Sequence, residues 1–572
     1  MVFRVIAFAI LCAFSVWGDI AYDVVFEGRP EDNARLKEIS HLIELKDKLP
    51  KTKAALERRI LEDISNLHRL FQSRGYYAAS IDYALEEKKG GYRVHIRTHQ
   101  GPTFVFGRIC VEGADLTPQD IGLTVGNRAK AKRILQAKET LLNILAHRGF
   151  PAAKIEDMDV IVDLETKTLD VTFAVDTGQR SVFGKTKVEG LQSVHLDVVR
   201  RKIRWKKGGL YNPDCVEMTQ QALDDTGLFQ CVEIQMQDAL DAEIPMTIAL
   251  KERAHRSVGL GLGFSTQRGA GIAAEWEHRN VCGRGETLKC DVNWLLRDRD
   301  VSCMFIKPDF RFDEEDLILG AKYNHDETKG YTETSGTLSC LLERRLSPTL
   351  SLSYGVMYKQ LRTTDSDEDG EYNLLKLPLS LSWDTTDDIL DPTCGFTLTT
   401  SFLPSKQLRK TPFFYAAMTV LGSCYKAFGK KDRFVIANRV YVGTIFGAKR
   451  QTIPSSERFY GGSDVFFRGY RYHTVSPLDG KKPVGGRSIF CYSLEGRYRI
   501  SEDWGGVLFY DVGNVWRAYL PKWQSDFLHS LGLGVRYYTP VGPVRLDVAF
   551  PLKRRRGLDR CFEVYFSVGQ SF

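Results

Sequence analysis

The sequence predicts an α+β and all-β chain, with three tandem β-α-α-β-β modules followed by a sixteen-stranded antiparallel transmembrane β-barrel. Three observations carry that prediction. The N-terminal half repeats itself. The C-terminal half alternates apolar and polar residues with period two up to its last residues. Mean hydropathy is −0.25 and the only long apolar run lies near the N-terminus, which excludes a bundle of membrane-spanning helices.

At the N-terminus, Arg4 precedes the apolar run from Val5 to Val16, and small Gly18 follows. Residues 1–18 therefore read as a secretory signal peptide; the run is short for a membrane anchor. Export combined with amphipathic strands points to a bacterial outer membrane.

The repeat comes next. Phe104–Gly113 (FVFGRICVEG) is echoed by Ser181–Gly190 (SVFGKTKVEG), and Arg74–Ile81, Arg148–Ile155 and Thr226–Ile234 recur at one equivalent place. The period of roughly 75 residues suits a small domain rather than a solenoid unit. It divides the chain into modules at 19–101, 102–179 and 180–254. Each opens with a strand ending in Gly, passes through a helical region and closes with two strands. In the first module Leu56, Ile60, Leu61, Ile64, Leu67 and Phe71 are expected on one helix face, with Pro50 and Thr52 as starting residues and Gly75 as the stop. In the third, Asn212 followed by Pro213 reads as an N-cap with proline in the first turn.

From residue 255 to 572 alternation takes over. Eleven strand patterns precede a loop at 447–486 and five follow it; an even total of sixteen suits a closed barrel. After the loop, Phe490, Tyr492 and Leu494 oppose Ser493, Glu495 and Arg497, and Leu508, Tyr510 and Val512 oppose Phe509 and Asp511. Charged residues, Gly and Ser on the second face suit a wet lumen better than a dry core. The loop is the sixth on the outer side and the longest, and its stretch Phe459–Tyr472 is rich in Gly and aromatic residues around a single central arginine, Arg468.

A net charge of +7 over 572 residues gives no case for nucleic acid. Twelve cysteines show no C-x-x-C pair or zinc spacing, so no metal site or other cofactor is expected. Cys282, Cys290, Cys303, Cys340, Cys424 and Cys491 fall within strand patterns, where both free thiols and disulfides are open. The chain lacks G-x-S-x-G, H-E-x-x-H and P-loop motifs, so it does not read as an enzyme.

These features together resemble the BamA/TamA superfamily of outer-membrane insertases and translocases. The modules match its POTRA domains. Phe467-Arg468-Gly469-Tyr470 matches its sixth-loop R-G-Y/F motif, with Phe467 where the family prefers Val or Ile. Ser493–Glu495 and Phe509–Val515 match neighbouring strand motifs, and Phe566–Phe572 is similar to TamA endings. Three modules favour a TamA-like member.

The resemblance implies that the loop folds back into the lumen and that Arg468 pairs with acidic wall residues; alternation independently puts Glu495 and Asp511 on that wall. A weak seam between first and last strands is expected from Gly259, Gly261, Gly263 and Gly569, because glycine weakens strand pairing. Terminal Phe572 resembles the signal by which barrel proteins are themselves recognised for insertion. Implied partners are unfolded outer-membrane protein clients, autotransporter-type among them, a TamB-like inner-membrane-anchored partner, and outer-membrane lipid. The alternatives are a BamA-like general insertase and a passive porin.

Overall fold

The computed structural model describes residues 20–28, 36–37, 39–237, 242–265, 269–365, 369–409, 411–429, 433–463, 466–524, 526–540, 542–568 and 570. The expected signal peptide, Gly569 and Phe572 lie outside the described residues. Among the described residues, no helix is long and apolar enough to cross a membrane.

Three small mixed sheets come first. In the first, β1 (Ala21–Glu27) runs parallel to β3 (Gly91–His99), which pairs antiparallel with β2 (Ser80–Lys88); α1 (His41–Glu44) and α2 (Lys53–Ser73) intervene. Helix α2 starts where Thr52 accepts a hydrogen bond from the Ala55 N–H at 3.2 Å and stops before Gly75, whose φ is +84°. Its buried stripe is Leu56, Ile60, Asp63, Leu67 and Phe71. Leu61 is exposed, contrary to expectation. It falls outside that stripe, and Asp63 takes an inward position because its carboxylate accepts from the Ser40 hydroxyl (2.5 Å) and the His41 N–H (2.9 Å).

The second sheet joins β4 (Val105–Glu112), β6 (Thr168–Asp176) and β5 (Lys154–Asp163) under α3 (Ala131–His147). Its first helical position is only a turn, closed by Thr117 and Asp120. The third sheet joins β7 (Val182–Glu189), β9 (Glu243–Glu252) and β8 (Phe229–Met236), with α4 (Leu196–Lys202) and α5 (Pro213–Asp224). The Asn212 side chain accepts from the Asp214 N–H at 2.9 Å, which caps α5.

Segments 190–202 and 222–232 of the third module belong to the same compact unit as the barrel. Glu252 ties that unit together. Its carboxylate accepts from the N–H groups of Gln192 (2.7 Å), Ser193 (3.0 Å) and Val194 (3.0 Å) and from the Ser193 hydroxyl (2.6 Å). Burial works against its charge, but these donors outweigh burial and hold the carboxyl at about 2. A folded pKa below the ordinary 4.5 adds stability that is complete above pH 4.5 and is withdrawn as pH falls toward 2. Hydrogen exchange at Gln192–Val194, normalised to intrinsic rates, is expected to rise below pH 4.5 in the wild type. In Glu252→Ala it is expected to be at least about tenfold faster at pH 7, since three amides lose their acceptor. Unchanged exchange in the variant would remove Glu252 from this role.

The barrel sheet runs in sequence order through β10 (Arg256–Ser265), β11 (Gly269–His278), β12 (Thr287–Leu295), β13 (Asp298–Lys307), β14 (Glu315–Glu327), β15 (Tyr331–Ser347) and β16 (Leu350–Asp365). It continues with β17 (Asp369–Lys376), β18 (Leu379–Asp384), β19 (Gly395–Gln407), β20 (Phe414–Phe428) and β21 (Phe434–Phe446). Loop 6 follows, carrying the two-residue strands β22 (Leu478–Asp479) and β23 (Lys482–Pro483). The sheet ends with β24 (Ser488–Arg499), β25 (Trp504–Trp516), β26 (Leu528–Thr539), β27 (Gly542–Pro551) and β28 (Glu563–Val568).

Its seventeen segments are sixteen crossings. Strands β17 and β18 form one strand interrupted at Leu377-Pro378, since Met357↔Lys376 and Tyr354↔Leu379 keep one register against β16, and Lys376↔Ser405 and Leu379↔Phe402 keep one against β19. Pro378 has no N–H to give the ladder, which accounts for the gap. Cys290 and Cys303 face each other across β12 and β13 and form a disulfide. Cys282 lies in the β11–β12 turn rather than in a strand.

Candidate functional site: the loop 6 plug and the seam

Loop 6 doubles back on itself. Gly461 and Val475 exchange both backbone hydrogen bonds (2.8 and 3.0 Å), as do Phe459 and Gly486 (both 2.9 Å). At the tip, Phe467 has φ +68°, a strained angle for a residue with a Cβ. Gly469 has φ +89°, and a Cβ there would stand 2.7 Å from that of Ser530, so only glycine fits. Phe467 and Tyr470 pack with Val475, Ile489, Cys491, Val515 and Leu528 in one buried cluster.

This packing sets Arg468 against the wall. Its Nε and Nη2 donate to the two oxygens of Asp511 at 2.9 and 2.8 Å, and Nη1 donates to Glu495 at 2.5 Å. Its backbone N–H also donates to Asp511 at 3.0 Å, and its carbonyl accepts from the Ser530 hydroxyl at 2.6 Å. The guanidinium carbon lies 3.5 Å from the Phe509 ring centroid. Arg468 is 1% exposed, Glu495 0% and Asp511 1%, so the pairs are screened little by water.

The sequence points to Phe467, Arg468, Gly469 and Tyr470 with Glu495 and Asp511, but not to the other groups that hold them. Asp547 on β27 stands 3.7 Å from Arg468 and is held chiefly by Arg536 at 2.5 Å. Arg497 donates to the free oxygen of Glu495 at 3.1 Å. The Tyr565 hydroxyl accepts from the Gly469 N–H at 2.9 Å, and the Tyr470 hydroxyl donates to the His529 and Lys553 carbonyls. Alternation places Asp547 and Tyr565 on the lumenal face; only the fold brings them to the loop tip.

A second anchor holds the base of loop 6. Glu457, in a short 3-10 turn at Ser455–Glu457, accepts from Lys359 (3.0 Å), Tyr415 (3.2 Å) and Lys376, while Lys359 also pairs with Glu333 at 2.8 Å. Thus Glu457 fastens the loop to β16, β17 and β20, and Arg468 fastens it to β24, β25 and β27. The sequence around Glu457 carries no motif; three long-range partners define it.

The seam lies between β10 and β28, the two ends of the sheet order, and no pairing joins them among the described residues. Gly259, Gly261 and Gly263 all lie in β10. A Cβ at Gly259 or Gly261 would make only ordinary contacts of 3.5 and 3.7 Å, so crowding does not require glycine there. Beyond β28, Gln570 is occupied elsewhere. Its N–H donates to the Leu390 carbonyl (3.2 Å), its amide donates to Asp391 (2.9 Å), and it accepts from Arg536 (2.8 Å). Leu390 and Asp391 belong to the β18–β19 turn, which Asp387 stiffens by accepting from Thr393 and Cys394. Burial opposes the Asp387 charge, and those donors bring its carboxyl down to about 2.

An antiparallel barrel plugged by its own sixth loop and preceded by three small mixed modules defines a class of outer-membrane protein with periplasmic POTRA domains. Comparison with known proteins places the chain within it. The Omp85 superfamily domain matches residues 280–572, and a POTRA model (surface antigen variable number repeat) matches residues 181–253. The chain belongs to the Omp85 superfamily; its barrel lies in the outer membrane and its POTRA modules in the periplasm.

It is 24% identical to the outer membrane protein assembly factor BamA of Nitratidesulfovibrio vulgaris over 528 residues, covering 86% of this chain and 65% of that protein. It therefore spans less than two thirds of that relative's length. With BamA of Neisseria meningitidis it shares 20% identity over 592 residues, covering 90% of this chain and 73% of the relative. The crystal structure of BamA from Haemophilus ducreyi lacking POTRA domains 1–3 superimposes with a TM-score of 0.70 at 18% identity, covering 81% of this chain and 99% of that one. That likeness is one of fold.

Proposed function

We propose that the chain is an outer-membrane protein assembly or translocation factor, which inserts β-strand-rich clients, autotransporter-type among them, through the β10–β28 seam. The observation that carries this reading is the sheet whose two terminal strands are not paired with each other among the described residues, next to a lumen that holds a charge-locked loop. Unpaired strand edges offer backbone donors and acceptors to an incoming strand, which is β-augmentation. The chemistry is non-covalent and needs no catalytic residue. A plugged lumen argues against a passive porin.

The resemblance of the sequence Phe566–Phe572 to TamA endings supports the TamA-like form of this reading, with a TamB-like inner-membrane-anchored partner. The curated relatives, both named BamA, support a second reading as a general insertase. Depletion of the protein followed by a census of outer-membrane proteins separates them. Selective loss of autotransporter-type proteins is the expected result; broad loss of barrel proteins establishes the general insertase, and an unchanged census overturns both.

A further inference from the structure

The basic run Lys553–Arg556 is the most conspicuous charge cluster of the outer loops, yet much of it is already neutralised. Arg555 grips both oxygens of Asp559 at 2.8 Å and donates to the Thr474 carbonyl at 2.9 Å, and Lys553 pairs with Asp526 at 2.6 Å. The less committed cations stand elsewhere. Arg297 from the β12–β13 turn, Lys329 from the β14–β15 turn, Arg471 from loop 6 and Arg560 from the β27–β28 loop surround a cavity of about 340 Å3 at the outer end of the barrel.

Two carboxylates also line the cavity, and neither makes a close hydrogen bond to these cations. Glu327 stands 3.4 Å from His325. Glu563, 2% exposed, lies 3.9 Å from Arg471 and 3.8 Å from Arg560, beyond hydrogen-bond distance. One oxygen of Glu563 and Nε of Arg471 are buried with no hydrogen-bond partner among the described residues. Burial first, then the Arg471 and Arg560 guanidinium groups, lower the pKa of Lys329 against the opposing pull of Asp559 and Glu563. The four cations come from four separate loops. Four cations against two carboxylates leave the cavity with an excess of positive charge, which favours a further anion.

We propose that this cavity binds a phosphomonoester group, carried by the headgroup of an outer-leaflet lipid or by free phosphate. Three acceptor oxygens and about two negative charges match two or three arginine forks and one ammonium, and the size admits a single phosphoryl group with part of a sugar. The buried donor of Arg471 then gains an acceptor, and the mutual repulsion of Lys329, Arg471 and Arg560 is relieved.

The test uses the full chain in phosphatidylcholine nanodiscs, titrated with inorganic phosphate at low ionic strength. The double variant Lys329→Gln/Arg560→Gln alters two exposed side chains, and Arg556→Gln removes an exposed cation of the same loop as a control. Phosphate affinity is expected to fall at least about tenfold in the double variant and to stay unchanged in the control. Native mass spectrometry in mixed membranes then separates the sources. Retention of a diphosphorylated glucosamine lipid over phosphatidylcholine, lost in the double variant, identifies the lipid. Phosphate binding without such retention identifies the free anion. Absence of phosphate binding, or equal affinity in wild type and double variant, overturns the proposal. The readout is binding alone, so it is independent of assembly activity.

Discussion

Arg468→Ala is expected to leave a barrel that still inserts into the membrane but fails to support growth or client assembly when it replaces the wild type. Asp511 loses both side-chain bonds and Glu495 loses one. Arg497 and Arg536 continue to hold Glu495 and Asp547, so Asp511 is the carboxylate left without its principal cation. Breaking a buried ion pair from one side costs about 3–5 kcal/mol, because the remaining charge stays in a poorly solvated place. That cost falls on loop 6, which then leaves its strained tip geometry. Arg468→Lys keeps the charge but not the fork that meets both Asp511 oxygens, and is expected to recover only part of the activity. Complementation of a depleted strain reads the activity; mobility of unheated protein on denaturing gels reads barrel integrity. Full complementation by Arg468→Ala would remove the plug from the mechanism.

A disulfide across the seam is expected to abolish client assembly until it is reduced. Strand β10 keeps ten backbone pairs with β11 and β28 six with β27, but β10 and β28 are not paired with each other among the described residues. Joining them closes the one place where a strand can add without breaking an existing ladder. Cysteine pairs scanned between 258–261 and 564–567, in a background with the native thiols replaced, find the bridging geometry. Cross-linked protein with undiminished assembly would rule out sideways opening; loss that reductant restores would support it.

Much of this architecture is legible in the sequence, because a β-barrel writes its two solvents into every second residue. The strand patterns begin near the observed strands throughout, and Glu495 and Asp511 read onto the lumenal face where the structure sets them against Arg468. Local periodicity says less about partners that meet across the lumen. Asp547 reads as lumenal, but nothing in its neighbourhood points to Arg468, and Glu457 lies in an irregular stretch with no pattern at all. Leu61 shows the same limit on a helix: it joins the apolar list by composition, whereas Asp63 is buried because Ser40 and His41, far away in sequence, satisfy it. In the second module a turn closed by Thr117 and Asp120 takes the place expected of a helix, since its Pro, Asp and Gly residues favour local side-chain bonds over helical ones.

The Arg468 anchor also sets an order of events during maturation. Its partners Glu495, Asp511, Ser530 and Asp547, and the Tyr565 that holds the neighbouring Gly469, all come later in the chain than the arginine itself. Phe467 is held at a positive φ that the isolated segment has no reason to adopt. The tip therefore cannot become native when it is synthesised, nor when β21 is laid down; it must wait for the strands that follow it, β24 to β28. Loop 6 is a late clasp, seated only after nearly all of the staves stand around it.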